Sequence, residues 1–100
     1  MATKLLMRWN IRPETESEYY EFLVHEFMPG MNKLGINEIQ VWYTTYGKCE
    51  QKLASGITPS VDNMHEALRS ASWNQLQDKL QTYVTDFSLK IVSANRGFQV

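Results

Sequence analysis

The order of strand-like and helix-like segments constrains this chain more than any other feature. Alternating or β-branched stretches predict strands, and apolar residues at helical spacing predict helices. In chain order the sequence predicts a strand at 4–11, a helix that follows a cap at 15–18 and runs to about 34, strands at 37–46 and 49–57, helices at about 61–70 and 73–85, and a strand at 87–92. Two helical segments can cover only one face of a four-stranded sheet. We therefore predict an α+β sandwich of βαββαβ order with one open sheet face.

Length and composition indicate a single domain covering residues 1–100. The chain is 43% hydrophobic and 21% charged, which suits a globular protein with one modest core. Its net charge of −1 is spread without a charged block, which argues against nucleic acid or an anionic membrane surface as the main partner. No apolar run reaches the length of a signal-peptide core or a membrane span, so we expect a cytoplasmic protein.

The sequence lacks the residue spacings that are typical of metal and cofactor sites. The single cysteine, Cys49, cannot form an intrachain disulfide, and no paired His/Cys spacing suits a metal ion. A glycine-rich phosphate loop is also lacking. We therefore predict neither a metal nor a cofactor.

The predicted strands present two different faces. The apolar set, which we expect under the helices, comprises Leu5, Met7, Trp9, Ile11, Ile39, Val41, Tyr43, Phe87, Leu89 and Ile91. The alternate set mixes large apolar and charged side chains and comprises Leu6, Arg8, Trp42, Tyr46, Lys52, Ala54, Lys90 and Val92. The second set is too apolar to be an ordinary solvent surface, so we expect a partner on the open face.

Local signals place the ends of the helices. Residues 15–18 and 72–75 each fit a capping box, in which side chains satisfy free N–H groups at a helix start. Pro29 predicts a kink or an early end of the first helix, because proline lacks an N–H and crowds the preceding turn. Gly35 is a plausible left-handed residue at the helix end.

His65 is the residue we select for proton transfer. It lies on the flank of its helix's apolar stripe, where an imidazole can reach a cleft and still titrate near neutral pH. The alternative is a boundary histidine bonded to backbone or water. His25 lies opposite the apolar arc of the first helix, four residues after Glu21, and is expected to be a solvated surface residue.

Three aromatic residues have the composition of a small-molecule pocket. Trp9 and Tyr43 belong to the helix-facing side of the sheet, and Trp73 follows the break between the later helices. Together with His65 they would form an apolar cavity with a few polar groups, as small-molecule sites usually do. The alternative is that all three fill the core, with their polar ends bonded to neighbouring side chains.

The layout resembles the ferredoxin-like dimeric α/β-barrel superfamily, which includes antibiotic-biosynthesis monooxygenase-like and NIPSNAP-like proteins. The resemblance covers residues 5–92 and rests on the element order and on two stretches, FMPGMNKLGINEIQVWYTTYG at 27–47 and ALRSASWNQLQDKLQTYV at 67–84. It implies a homodimer in which two sheets pack face to face. It also implies a small-molecule pocket between each sheet and its own helices.

The resemblance and the open face together predict a symmetric dimer interface. Its predicted members are Leu6, Arg8, Trp42, Tyr46 and Val92. Haem-degrading members of the superfamily use an Asn, Trp and His set. Asn10 and Trp73 match the first two positions, but no histidine follows Trp73, so the resemblance does not extend to haem degradation.

Three functions remain open from the sequence. The first is a cofactor-independent monooxygenase or isomerase-like enzyme acting on a small, partly aromatic compound. The second is a non-catalytic ligand-binding or regulatory dimer. The third, least favoured, is RNA binding, because RNA-recognition domains of this element order need aromatic residues on the two central strands of the open face, and we expect none there.

Overall fold

The computed structural model describes the backbone of residues 2–46 and 49–93 and the side chains of residues 2–42 and 52–93. The strands are β1 (Thr3–Ile11), β2 (Asn37–Tyr46), β3 (Cys49–Thr58) and β4 (Val84–Ser93). The helices are a 3₁₀ turn (Pro13–Thr15), α1 (Glu16–Phe22), a π-helical segment (Leu23–Phe27), α2 (Met28–Lys33), α3 (Val61–Leu68) and α4 (Ala71–Gln81). The predicted α+β class and the βαββαβ order are confirmed.

The four strands form one antiparallel sheet in the order β2-β3-β1-β4. The two central strands pair in a register that sets Leu5 opposite Gly56 and Met7 opposite Ala54. On the other side of β1, the register shifts between Arg8 and Asn10, where β4 carries one more residue than β1. This irregularity is a β-bulge, which bends a strand and redirects its side chains.

The helices cover one face of the sheet and form the core with it. The inward side of β1, with Leu5, Met7 and Trp9, is fully buried. Tyr19 and Phe27 from the first helical segment pack against these strand residues with no exposed surface. Burial of large apolar side chains at about 25 cal/mol per Å² is the main driving force for this arrangement.

The predicted faces of β3 are wrong by one residue. Lys52 is only 9% exposed and Ala54 is fully buried, and both lie on the helix-covered face opposite Trp9 and Met7. The open face of β3 is instead formed by the alternate residues, including Leu53 and Ser55. The Lys52 ammonium lies 5.9 Å from the centroid of the Tyr20 ring, so its apolar stem can be buried while its charged end approaches an aromatic ring.

The first helix continues past Pro29, contrary to an early end. Residues 23–27 form a π-helical turn, in which the Met28 N–H bonds the Leu23 carbonyl. A wider turn before a proline relieves the clash between its ring and the preceding carbonyl, and it removes the need for the missing N–H. The helix then ends at Gly35, whose φ of 90° confirms the predicted left-handed position.

The helix caps differ from the predicted boxes. Ser60 and Ser70 cap α3 and α4, accepting hydrogen bonds from the N–H groups of Asn63 and Trp73. The second cap therefore lies two residues before the predicted one. Thr15 does not accept a capping bond, and its hydroxyl proton is instead shared between the carbonyls of Arg12 and Tyr83, at 3.1 and 3.0 Å.

Some expectations lie outside the described residues. They are the turn at residues 47–48, the short final extension at 98–100, and the side-chain positions predicted for Tyr43 and Tyr46. The backbone of both tyrosines belongs to β2, where Tyr43 pairs with Lys52 and Tyr46 with Cys49.

Candidate functional site

An aromatic cluster fills the space between the sheet and the helices. The Trp9 ring stacks on Phe87 with centroids 6.1 Å apart and meets Tyr19 and Phe27 edge-on. The Trp9 Nε1–H donates a 3.0 Å hydrogen bond to the Tyr19 hydroxyl, so the two polar ends inside this cluster satisfy each other. Burial raises the pKa of Tyr19 to about 12, although the Trp9 hydrogen bond acts in the opposite direction.

The two predicted ligand-wall tryptophans lie in this packed region. Trp9 is fully buried and Trp73 is 2% exposed, and Trp73 contacts the Phe27 ring at 5.9 Å between centroids. Neither tryptophan lines any of the four clefts found on the described part of the chain. Their contact with a ligand, like that of Tyr43, stays a prediction.

His65 lies on α3 with its side chain exposed to solvent. It lines none of the same four clefts, so its role in proton transfer also stays a prediction. The expected environment of His25 is observed, with its Nε2 3.8 Å from Glu21 Oε1 and both side chains mostly exposed. Such a solvated pair contributes little to stability.

A polar group lies at the bulge, on the other side of the backbone from the aromatic cluster. Asn10 Nδ2 donates a 3.0 Å hydrogen bond to Asp86 Oδ2. Asp86 has a φ of 56°, a left-handed conformation that only a few per cent of non-glycine residues adopt. Arg12 follows the end of β1 in extended backbone, two residues after Asn10.

Two buried polar atoms in this group have no partner among the described residues. They are the Oδ1 atom of Asn10, which accepts hydrogen bonds, and the Nε–H of Arg12, which donates them. A buried unpaired polar group costs roughly 1–3 kcal/mol, so such groups usually mark a bound water or ligand or a functional strain. The hydrogen-bonded pair of Asn10 and Asp86 therefore lies at one end of β1, with Arg12 two residues further along the chain, and none of the three lines the four clefts.

Local contacts fix the position of this polar group. The Arg12 N–H donates to the Tyr83 carbonyl at 2.9 Å, and the Thr15 hydroxyl donates to the same carbonyl at 3.0 Å. These bonds join the end of β1 to the turn before β4. The sequence offered Asn10 as a site residue only through the family resemblance, and it did not indicate Arg12 or Asp86, because a bulge has no readable signal in the alternation.

The open face of the sheet carries a shallow cleft of about 310 Å³. Its walls include the side chains of Leu6, Arg8, Trp42, Leu53 and Lys90, and Trp42 is 42% exposed. The cleft thus contains three of the five predicted interface residues. Val92 is half-buried on the same face beyond it.

Metal and membrane sites are not indicated by the described residues. Over residues 2–46 and 49–93, no three histidine, cysteine or carboxylate side chains converge in a way that would hold a metal ion. Within the same residues, no helix has both the length and the apolar composition needed to cross a bilayer.

Comparisons with known proteins identify the fold. No family model and no curated protein matches the sequence significantly. SnoaB, a cofactor-independent oxygenase from Streptomyces nogalater, superimposes with a TM-score of 0.76 at 10% identity, over 95% of this chain and 94% of that one. A NIPSNAP family protein from Agrobacterium tumefaciens superimposes with a TM-score of 0.73 at 17% identity, over 98% of this chain and 89% of that one.

A third solved structure covers the whole of this chain. It is a candidate antibiotic biosynthesis monooxygenase from Deinococcus radiodurans, with a TM-score of 0.74 at 18% identity and 98% of its own length covered. At these identities the likeness establishes the fold. The predicted resemblance to antibiotic-biosynthesis monooxygenase-like and NIPSNAP-like proteins therefore holds at the level of the fold.

Proposed function

We propose that this protein is a homodimer, joined through its open sheet faces, that oxygenates a small, partly aromatic compound without a cofactor. The observation that carries the proposal is the polar group of Asn10, Arg12 and Asp86, with its two buried unpaired atoms. The fold that the chain shares with a cofactor-independent oxygenase supports the reaction class.

The chemistry of this reaction class explains why such a group is useful. Oxygenation without a cofactor requires a substrate that loses a proton and then passes electrons to O₂ itself. One oxygen atom enters the product and the other leaves as water, with both hydrogens supplied by the substrate. The protein must therefore hold the substrate, accept a proton and stabilise the resulting anion.

We assign these tasks to the polar group at the bulge. The Asp86 carboxylate accepts the proton, the Arg12 guanidinium stabilises the anion, and Asn10 Oδ1 accepts a hydrogen bond from the substrate. His65 is the alternative proton acceptor, as the sequence predicts. The two assignments differ in which substitution abolishes turnover.

The open face supports the dimer. Trp42 is 42% exposed, Leu53 pairs with it on β3, and Leu53 and Leu6 are only half-buried. Val92 is half-buried on the same face at the other edge of the sheet. Exposed apolar surface of this kind on a small protein marks an interaction surface. Pairing two copies about a two-fold axis would cover the same patch on both.

Oxygen uptake tests the reaction. The protein, treated with a chelator, is mixed with a panel of phenols including 1-naphthol, and O₂ consumption is followed with an electrode. We expect uptake with at least one compound and a loss of at least about 100-fold in Asp86→Asn, since a general base contributes 10²–10⁴-fold. Asparagine tolerates the left-handed backbone at this position, so the variant isolates the carboxylate. The matched control is Asp78→Asn on the exposed surface of α4, which should keep full activity.

The outcome separates the candidates. If His65→Ala abolishes uptake and Asp86→Asn does not, proton transfer belongs to His65. If no bound compound consumes oxygen, the second candidate stands, a non-catalytic ligand-binding dimer. The cleft on the open face favours that second candidate, because no histidine or carboxylate that could accept a proton is among its lining residues.

Light scattering tests the dimer. We expect twice the monomer mass of 11.7 kDa for the protein and the monomer mass for Trp42→Asp, which places a charge on the open face. Val24→Asp is the matched control, because Val24 is an exposed apolar residue on the helical side. A monomer at all concentrations up to the millimolar range would contradict the pairing.

A further inference from the structure

The small net charge conceals a strong separation of charge within the fold. The helical segments carry two lysines, Lys33 and Lys79, against eight acidic residues, namely Glu14, Glu16, Glu18, Glu21, Glu26, Asp62, Glu66 and Asp78. On the open sheet face, β1 presents Lys4 and Arg8, which alternate with buried residues, and β4 presents Lys90, whereas Asp86 lies at the bulge end of the same face.

The cleft on the open face concentrates this positive charge beside an aromatic ring. Arg8 and Lys90 both line it together with Trp42, and no carboxylate is among its lining residues. In the β1–β4 register Leu6 pairs with Lys90 and Arg8 pairs with Ser88, so the two cations are diagonal neighbours. Diagonal side chains on a sheet lie roughly 7–8 Å apart, a spacing that a single anion can bridge.

The floor of the cleft is flat and largely apolar. It is formed by the backbone at Met7, Ala54 and Leu89, whose side chains belong to the helix side, and by the side chains of Leu6 and Leu53. A flat apolar floor next to an indole favours a planar ligand. The volume of about 310 Å³ is at the lower end for small-molecule sites.

Pairing two such faces adds a further requirement. Each copy would bring Arg8 and Lys90 to the interface, and charged groups buried against like charge are strongly unfavourable. An anion held between the sheets would neutralise them. A ligand of opposite charge held there would therefore strengthen the pairing.

We propose that the cleft on the open sheet face binds a small aromatic carboxylate, with its carboxylate between Arg8 and Lys90 and its ring on Trp42. Two copies then enclose the ligand, and this last step rests on the proposed homodimer. The site is distinct from the polar group at the bulge. Its occupant differs from an RNA, because the open-face residues of the central strands include Leu6, Leu53 and Ser55 and no described aromatic.

Calorimetric titration with 2-naphthoate tests the site. The neutral probe 2-naphthalenemethanol has the same rings without the charge, and we expect it to bind at least tenfold more weakly. Arg8→Gln combined with Lys90→Gln should weaken naphthoate binding at least tenfold. Lys33→Gln is the matched control, since it removes an exposed cation from the helical side, and it should leave the affinity unchanged.

Fluorescence provides a second reading of the same site. Of the three tryptophans, Trp9 and Trp73 are buried in the core, so a ligand on the open face changes mainly the Trp42 signal. Trp42→Phe keeps an aromatic ring, so it should remove the fluorescence change and retain most of the affinity.

Light scattering with and without naphthoate separates this proposal from the proposed homodimer. At a protein concentration where monomer and dimer coexist, naphthoate that binds and shifts the light-scattering mass towards the dimer supports both. Naphthoate that binds there without changing the mass supports the site and contradicts the enclosure of the ligand between two copies. Equal binding of the acid and the alcohol, or unchanged affinity in the double variant, overturns the proposal. A single-stranded oligonucleotide that binds more tightly than naphthoate, with steep salt dependence, would also overturn it.

Discussion

The two faces of the sheet carry a tryptophan each, in opposite environments. Trp9, on the helix-covered face, has no exposed surface, three ring contacts and a satisfied N–H. Trp42, on the open face, is 42% exposed and lies beside cations. The comparison teaches that the helix-covered face supplies stability, while the open face retains the unsatisfied apolar and charged surface from which recognition is built.

The largest effect should come from emptying the covered face. Trp9→Ala removes a fully buried indole and leaves the Tyr19 hydroxyl without its donor. We expect the free energy of unfolding to fall by about 3–5 kcal/mol, which is a large fraction of the roughly 5–15 kcal/mol typical of a domain. Urea denaturation followed by circular dichroism measures it. Val24→Ala, at an exposed helical position, should change it by less than about 0.5 kcal/mol, and a comparable loss in the two variants would contradict the distinction.

The covered face should also reject added volume. A Cβ at Gly56 would overlap the Cγ2 atom of Ile36, which is fully buried. We expect Gly56→Ala to lower the free energy of unfolding by about 1–3 kcal/mol, the usual cost of overpacking. Ile36→Leu removes the Cγ2 branch, so the double variant should recover part of the loss. Additive losses in this double-mutant cycle would show that the two residues are not coupled.

The sequence predicts those parts of this arrangement that are determined by local residue patterns. The alternation in β1 predicts both faces correctly, since Leu5, Met7 and Trp9 are buried and Arg8 is exposed. The left-handed Gly35 is predicted for the same reason, because a helix end has a local signature. At Pro29 the sequence predicts a kink or an early helix end and not the π-helical turn itself. Proline rules out a regular helical hydrogen bond, whereas the surrounding packing determines how the helix accommodates it.

The wrong predictions fall where the pairing between strands, and not the local residue pattern, determines which face a residue occupies. In β3, Lys52 has a polar side chain and suggests the open face, but the register with β1 places it opposite Trp9. A long apolar stem, which lets the ammonium reach the Tyr20 ring, makes this burial possible, and no residue pattern predicts it. The bulge at Asp86 is similar, since it depends on the relative lengths of two strands that are distant in sequence.

The buried tyrosine hydroxyl gives the covered face a pH response. In the folded protein the pKa of Tyr19 is raised to about 12 from a usual value of 10.0, whereas in the unfolded chain this phenol loses its proton at the usual value. The unfolded state therefore releases the proton first as pH rises. This contribution to stability is complete below pH 10 and decreases between pH 10 and about 12, by at most about 1.4 kcal/mol per pH unit.

Tyr19→Phe separates this response from the rest of the protein. At neutral pH we expect a loss of about 1–2 kcal/mol, because the Trp9 N–H loses its acceptor. Between pH 10 and 12 the variant should lose less stability than the parent protein, as measured by urea denaturation at each pH. Tyr20→Phe removes a half-exposed phenol from the next residue and is the matched control. The same pH slope in Tyr19→Phe and in the parent would contradict the assignment.

The smallest effect on the isolated chain should come from the open face. Trp42→Ala removes an indole that rests on the sheet with one side in solvent, so at concentrations where the chain is monomeric we expect a change below about 0.5 kcal/mol. At high concentration the difference should grow, because a dimer adds stability by mass action and the variant has lost the centre of its interface. Thermal unfolding over a wide range of protein concentration measures both limits. If the parent and Trp42→Ala differ by the same amount at every concentration, the open-face tryptophan contributes through packing within one chain, and the contrast with Trp9 becomes one of degree.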